Sequence, residues 1–218
     1  MKGLLIKDFK LMKAQNKFLI LMVVLCIWFF IANREVAFVI SYMAAMISVL
    51  VVATVNYDEY DNGMGFLFTY PISRRSYVLE KFVFGMLMMA GICIAGGILV
   101  FAKAALKHEA YDPAEGLTAL LISIITVSLI LSVTLPVQLK FGAEKSRIAL
   151  VLGVAGAGIV VYGVQQAAKI CAVDLSGVAE RIRQASITEV AVCICVLSAA
   201  MLGISYWISV VIMKGKQF

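Results

Sequence analysis

Long apolar runs broken by short clusters of charge set the pattern of this chain. A membrane-spanning helix needs about 20 mostly apolar residues. Six windows between charge clusters meet or approach that requirement: Phe18 to Ala32, Val36 to Val55, Phe82 to Ala102, Leu117 to Gln138, Ile148 to Ala168 and Val190 to Met213. The first is short unless the amphipathic segment before it feeds directly into the membrane, or its helix extends toward Lys17, whose ammonium snorkels to the interface. Only Asn33, Arg34 and Glu35 separate the first two windows, which predicts a tight antiparallel hairpin. Ahead of them, MKGLLIKDFKLMKAQNK sets Leu5, Phe9 and Met12 on one helical face and Lys7, Lys10, Lys13 and Lys17 on another. That pattern predicts an amphipathic helix lying in the interface plane, its lysines toward anionic headgroups.

The longest polar interval, Asn56 to Lys81, has its own periodicity. Tyr57, Tyr60, Met64 and Phe68 recur at helical spacing with Leu67 alongside, while Asp58, Glu59, Asp61 and Asn62 fill the rest, predicting a short amphipathic helix. Pro71 discourages helix at Tyr70, and Ser73 is placed to cap the helix that follows. Arg74 and Arg75 then occupy a helix N-terminus, where each cation costs about 0.3–1 kcal/mol when exposed. Anionic headgroups, an acidic partner, or Asp58, Glu59 and Asp61 within the chain would offset that cost.

Further along, Asp112, Pro113 and Glu115 read as the start of the fourth helix. Leu175, Val178 and Ile182 predict a short interfacial helix, and Ser186 to Glu189 fit a capping box before the last span. Gly91, Ala95, Gly96 and Gly97 in the third window, and Gly153, Ala155, Gly156, Ala157, Gly158 and Gly163 in the fifth, are small residues of the kind that let helices approach closely in lipid. With no linker and no internal repeat, residues 1–218 read as one transmembrane domain.

Composition agrees with a membrane protein: 63% of residues are apolar and 15% charged, and the mean hydropathy is +1.00, against about half and a quarter in a soluble domain. Charge fixes the orientation through the positive-inside bias. With the N-terminus inside, 13 of the 19 Lys and Arg residues fall in cytoplasmic segments and 6 outside, so both termini are expected in the cytoplasm. The basic balance is thereby explained without a nucleic-acid partner. A cleaved signal peptide is the competing reading of the start; the interleaved apolar residues and the lack of a small-x-small site after Ile31 oppose it. The five cysteines imply no disulfide framework, and Cys193 and Cys195 point to nearly opposite helix faces, a poor metal site.

Several chemistries have no carrier. No window holds an ionisable residue well inside its apolar core, which disfavours an ion-coupled transporter. No nucleophile with a base, metal cluster or paired acids marks an intramembrane enzyme. The string nearest to a phosphate-binding loop, FGAEKSR, lacks the second glycine and the spacing, so the chain carries no nucleotide site and no cofactor of its own.

Two cytoplasmic segments carry a resemblance. YDEYDNG followed by PISRRSYVLEKF, between the second and third windows, resembles the signature loop of small bacterial ABC-2 type transporter permeases. LPVQLKFGAEKSR, from Leu135 to Arg147, is similar to that family's turn between the fourth and fifth spans. The resemblance extends over size, span count and both turns. It implies an all-α ABC-2 type exporter fold in the bacterial cytoplasmic membrane, paired with a second permease (homo- or heterodimer) and with ABC ATPase subunits that hold the ATP and Mg. It also implies that the first cytoplasmic loop contains the ATPase-coupling helix, here Asp58, Glu59, Tyr60, Asp61, Met64, Leu67, Phe68 and Pro71, with Arg74 and Arg75 at its exit. The second turn supplies Lys140, Phe141, Gly142, Glu144, Lys145 and Arg147. Within that resemblance Met64, Leu67 and Phe68 are the expected apolar contacts. The external loops are short, so a hydrophobic or amphipathic substrate, such as an antimicrobial or cytolytic peptide, is the expected cargo. The alternative is a non-transporting membrane immunity or sensor protein that binds a peptide, whose function would survive inactivation of the ATPase.

Overall fold

The computed structural model describes residues 2–32, 35–60, 63–107, 116–142 and 187–216, and these are helical almost throughout. The elements are α1 (Lys2–Ala14), α2 (Asn16–Ile31), α3 (Val36–Glu59), α4 (Gly63–Leu67) and α5 (Arg74–Lys107). They are followed by α6 (Gly116–Gly142) and α7 (Ile187–Gly215). Among the described residues four helices are long and apolar enough to cross a membrane: α3, α5, α6 and α7.

The six expected spans are therefore not all seen. α2 has 16 residues, about 24 Å at 1.5 Å per residue, short of a hydrocarbon layer of about 30 Å. Joined to α1 it makes a fifth candidate, broken by a 67° bend. The expected fifth window, Ile148 to Ala168, lies outside the described residues. So do the expected helix starts at Asp112 and Ser186, the interfacial segment around Leu175, and the site residues Asp61, Glu144, Lys145 and Arg147.

Helix boundaries also differ from those expected. The third apolar window begins at Phe82, yet α5 begins at Arg74 and runs for 34 residues, roughly 50 Å. Hydropathy marks only the lipid-embedded part of a helix, and the backbone goes on bonding beyond it. The start of α5 is capped as expected: Ser73 Oγ accepts from the Ser76 N–H at 3.1 Å, and Ser73 O accepts from the Tyr77 N–H at 3.0 Å. α3 likewise continues past Val55 to Glu59, so Asp58 and Glu59 belong to its last turn.

α3, α5, α6 and α7 share one core. Ile40, Val51 and Val55 of α3 meet Tyr77, Phe84 and Ile92 of α5, Leu131 and Leu135 of α6 and Met213 of α7, all nearly or fully buried. α2 rests on α3 through Met22, Cys26 and Val39, with Phe29 edge-on to Phe38 and Tyr42. The small residues of α5 act unequally. A Cβ at Gly96 would stand 3.0 Å from Ile40 Cδ1, and one at Gly85 would stand 2.5 Å from Leu131, whereas Gly91 and Gly97 face open space. Close approach is thus needed at two glycines, one of them outside the run that composition highlights. The outer faces expose Trp28, Ile94, Phe101, Ile204 and Trp207. Apolar residues on every side belong to helices surrounded by lipid, and the chain is a multi-pass membrane protein.

Candidate functional site

Among the described residues, one end of the helix bundle holds most of the side-chain bonds between helices. The last turns of α3, α6 and α7, the first turns of α5, and α1 converge there, so residues from five helices meet around Asp58. At its centre is a charge cluster, buried except at Lys7, whose side chain is 29% exposed. Lys81 Nζ, on α5, donates to Asp8 Oδ2 of α1 at 2.5 Å and to Thr54 Oγ1 of α3 at 3.1 Å, and stands 2.9 Å from Asp58 Oδ2. Tyr77 donates its hydroxyl to Asp58 Oδ2 at 3.0 Å. Lys7 Nζ closes the ring by donating to Asp58 Oδ1 and lies 3.3 Å from Asp8 Oδ1. Asp8, Glu80 and Lys81 have no exposed surface, and Asp58 is 7% exposed.

These residues corroborate neither a solvated charge face nor lysines that all point to headgroups. Lys7 turns inward to carboxylates, and the buried residues of α1 are Leu4 and Asp8, with Leu5 and Met12 packed beside them. The sequence holds a signal for Asp8 that charge counting passes over. It is the one acid among the lysines of residues 1–17, and it sits three or four residues from Leu4, Leu5 and Met12, on the apolar stripe. Lys81 similarly falls on the stripe of Tyr77 and Phe84. Charges placed on apolar stripes are buried and need partners there.

Around the cluster the same end is tied together by weaker polar links. Gln138 of α6, fully buried, donates to Asn56 Oδ1. Lys216 donates to Glu59 Oε1 at 3.0 Å. Gly142 ends α6 with φ +76°, a left-handed conformation that strains any residue with a Cβ, and a Cβ added there would lie 3.4 Å from Glu59 Oε2. Lys140 stands over the Phe141 ring at 5.2 Å. The described part of the second turn thus abuts the end of α3. Arg74 is offset by neither Asp58 nor Glu59: its guanidinium donates to the carbonyls of Met213 and Lys214 at 3.0 and 2.8 Å. Those carbonyls are the negative C-terminal end of α7, which compensates the cation at the start of α5. Arg75 is exposed.

The connection between α3 and α5 differs from a single amphipathic helix. Tyr60 leaves the helix with φ −63° and ψ 138°, and α4 restarts at Gly63 for five residues. A Cβ at Gly63 would approach the Asp58 carbonyl oxygen at 2.9 Å, so only glycine lets α4 fold back this closely. Because the break rotates α4 against α3, the helical spacing of Tyr57, Tyr60, Met64 and Phe68 does not make one face. Met64 is 3% exposed, Leu67 and Phe68 pack against the core, and Phe68 meets the Tyr77 ring at 5.9 Å. Of the expected apolar contacts, Met64 is buried and Leu67 and Phe68 are partly buried against the core. The outward aromatics are Tyr57 (52% exposed), Tyr60 (74%), Phe66 (68%) and Tyr70 (55%), with Phe66 edge-on to Tyr70 at 5.7 Å. Pro71 is exposed beside them.

No curated protein and no solved structure matches this chain. A sequence model described as ABC-2 family transporter protein matches residues 3–214, nearly the whole length and every element described above. Proteins of this family are membrane components of transporters that generally lack an ATPase site and work with ABC ATPase partners. The chain belongs to the ABC-2 family of transporter membrane proteins.

Proposed function

We propose that this chain is the permease subunit of an ATP-driven exporter in the bacterial cytoplasmic membrane. It moves a hydrophobic or amphipathic substrate, a membrane-active peptide being the natural cargo, and takes its energy from separate ATPase subunits. It works beside a second permease subunit, with both termini in the cytoplasm. The observation that carries the reading is the aromatic surface of Tyr57, Tyr60, Phe66 and Tyr70, exposed on the α3–α5 connection. Rigid, exposed aromatic side chains are the usual anchors of a protein contact, and α4 in this connection packs on the end of α3. A push on α4 would reach α3 through Gly63 and α5 through Phe68 and Tyr77. Packed helices then respond by rocking between discrete arrangements.

The test is transport itself. Inside-out vesicles containing the permease and its ATPase are expected to accumulate a fluorescent amphipathic helical peptide when ATP is supplied, and to stop when the ATPase lysine of the phosphate-binding loop is replaced. Peptide binding that is unchanged by that replacement, with no accumulation, would instead identify a sensor or immunity protein.

A further inference from the structure

The grip on α1 is unusual for a helix meant to stay in place. Of its 13 residues only Leu4 and Asp8 are buried, and Phe9, edge-on to Phe84 at 5.2 Å, is still 42% exposed. Beside the apolar contacts of Leu4, Leu5, Phe9 and Met12, charge holds it. Lys7 and Asp8 of α1 are set against Asp58 of α3 and Lys81 of α5, and Glu80 of α5 faces Asp8. That arrangement is unbalanced: three carboxylates meet two ammoniums. No lysine, tyrosine or threonine donor bonds Asp8 Oδ1 or either oxygen of buried Glu80, whose carboxyl instead lies within hydrogen-bonding reach of Asp8, and Glu80 approaches Lys81 only to 3.9 Å. A buried ion cluster of this kind holds a helix less securely than apolar packing of the same volume, because desolvation offsets much of the attraction. Its attraction is also steep in distance and is lost once water enters.

The joint that would let α1 move is present. Gln15 interrupts the helix at φ −87° and ψ 37° without a side-chain cap, and its buried amide nitrogen has no partner. α1 and α2 meet there at 67°.

From these observations we infer that the Asp8–Lys81–Asp58–Lys7 cluster is a latch. It holds α1 against α3 and α5 in one conformation and opens in another, in which α1 turns about Gln15 and the charges reach water. The surplus carboxylate of Glu80 sets the latch near its release point. The inference rests on the geometry of α1, α3 and α5 and not on an ATPase partner, so it stands or falls apart from the transport reading. Apolar replacement of the cluster would hold α1 shut; the charges make it releasable.

The experiment uses the full chain in lipid nanodiscs, with Cys26, Cys93, Cys171, Cys193 and Cys195 replaced by serine or alanine. A reporter cysteine at buried Leu4 (6% exposed) reads α1, and a second at Leu139 (0% exposed), at the same polar end, reads the α6 core. Each is labelled separately by a water-soluble maleimide, whose rate follows the population of opened molecules. Glu80→Gln, which removes the surplus charge and supplies a donor toward Asp8, is expected to slow labelling at Leu4→Cys by roughly threefold or more. Lys81→Met, which strands Asp8 and Asp58, is expected to speed it by roughly tenfold or more, with labelling at Leu139→Cys unchanged. The latch is overturned if Glu80→Gln leaves the Leu4→Cys rate unchanged or raises it. It is equally overturned if Lys81→Met raises both reporters in step, since α1 would then open only with the whole bundle.

Discussion

Tyr77 shows how much of this structure is settled by single polar atoms. Its ring packs in the core against Phe68, beneath the Lys81 ammonium at 5.3 Å, while its hydroxyl donates to Asp58 Oδ2. A hydrogen bond to a charged group contributes about 1.5–3 kcal/mol, so Tyr77→Phe is expected to lower stability by about that amount. Thermal unfolding in detergent, followed by tryptophan fluorescence, measures it; an unchanged midpoint would mean that Asp58 is held well enough by Lys7 and Lys81 alone. Gly142 makes a second prediction at this scale. Its left-handed backbone, φ +76°, costs an L-residue about 1–2 kcal/mol, and a Cβ there would press on Glu59. Gly142→Ala should lose that much in the same assay, whereas Gly97→Ala, facing open space, should gain a few tenths or more through helix propensity.

At the scale of elements the decisive feature is the break between α3 and α4. Because it turns Met64 inward, Met64→Ser is expected to destabilise the bundle by about 2–5 kcal/mol, as other large-to-small core changes do. Phe66→Ser, on the outer side, should leave the melting temperature within about 1–2 °C of the parent, in keeping with an exposed position. Equal effects of the two substitutions would contradict the orientation of α4. The start of α5 is as sharply defined: Ser73→Ala removes the acceptor of the Ser76 N–H and should cost about 1 kcal/mol.

Much at this scale is legible in the sequence. Uninterrupted apolar runs mark α3, α5, α6 and α7, since a lipid environment demands them, and Ser73 and Pro71 mark the entry to α5 by local chemistry alone. Two things were hidden for physical reasons. Helical spacing does not carry across the break at Tyr60, so the sides taken by Met64 and Phe68 depend on backbone geometry that periodicity does not encode. Asp8 and Lys81 look like surface charges until partners from other helices are known, because burial of an ion is decided by tertiary pairing and not by its neighbours in the chain.

At the scale of the whole molecule, the bundle has an apolar body and one polar end where α1, the α3–α5 connection and the ends of α6 and α7 are bonded to each other. The family assignment makes that end the place to look for an energy source, since proteins of this family generally lack an ATPase site and work with ABC ATPase partners. Under the proposed function, the exposed aromatics Tyr57, Tyr60, Phe66 and Tyr70 are the contact for that partner. The account's central claim is that an ABC ATPase docks on that surface. Its most direct test is co-purification of the ATPase with affinity-tagged permease from detergent-solubilised membranes, comparing the parent with the Tyr60→Ser/Phe66→Ser double variant. The account predicts that the parent retains the ATPase and that the double variant, folded and equally abundant, loses most of it. Retention of the ATPase at the parental level by that variant would contradict the claim.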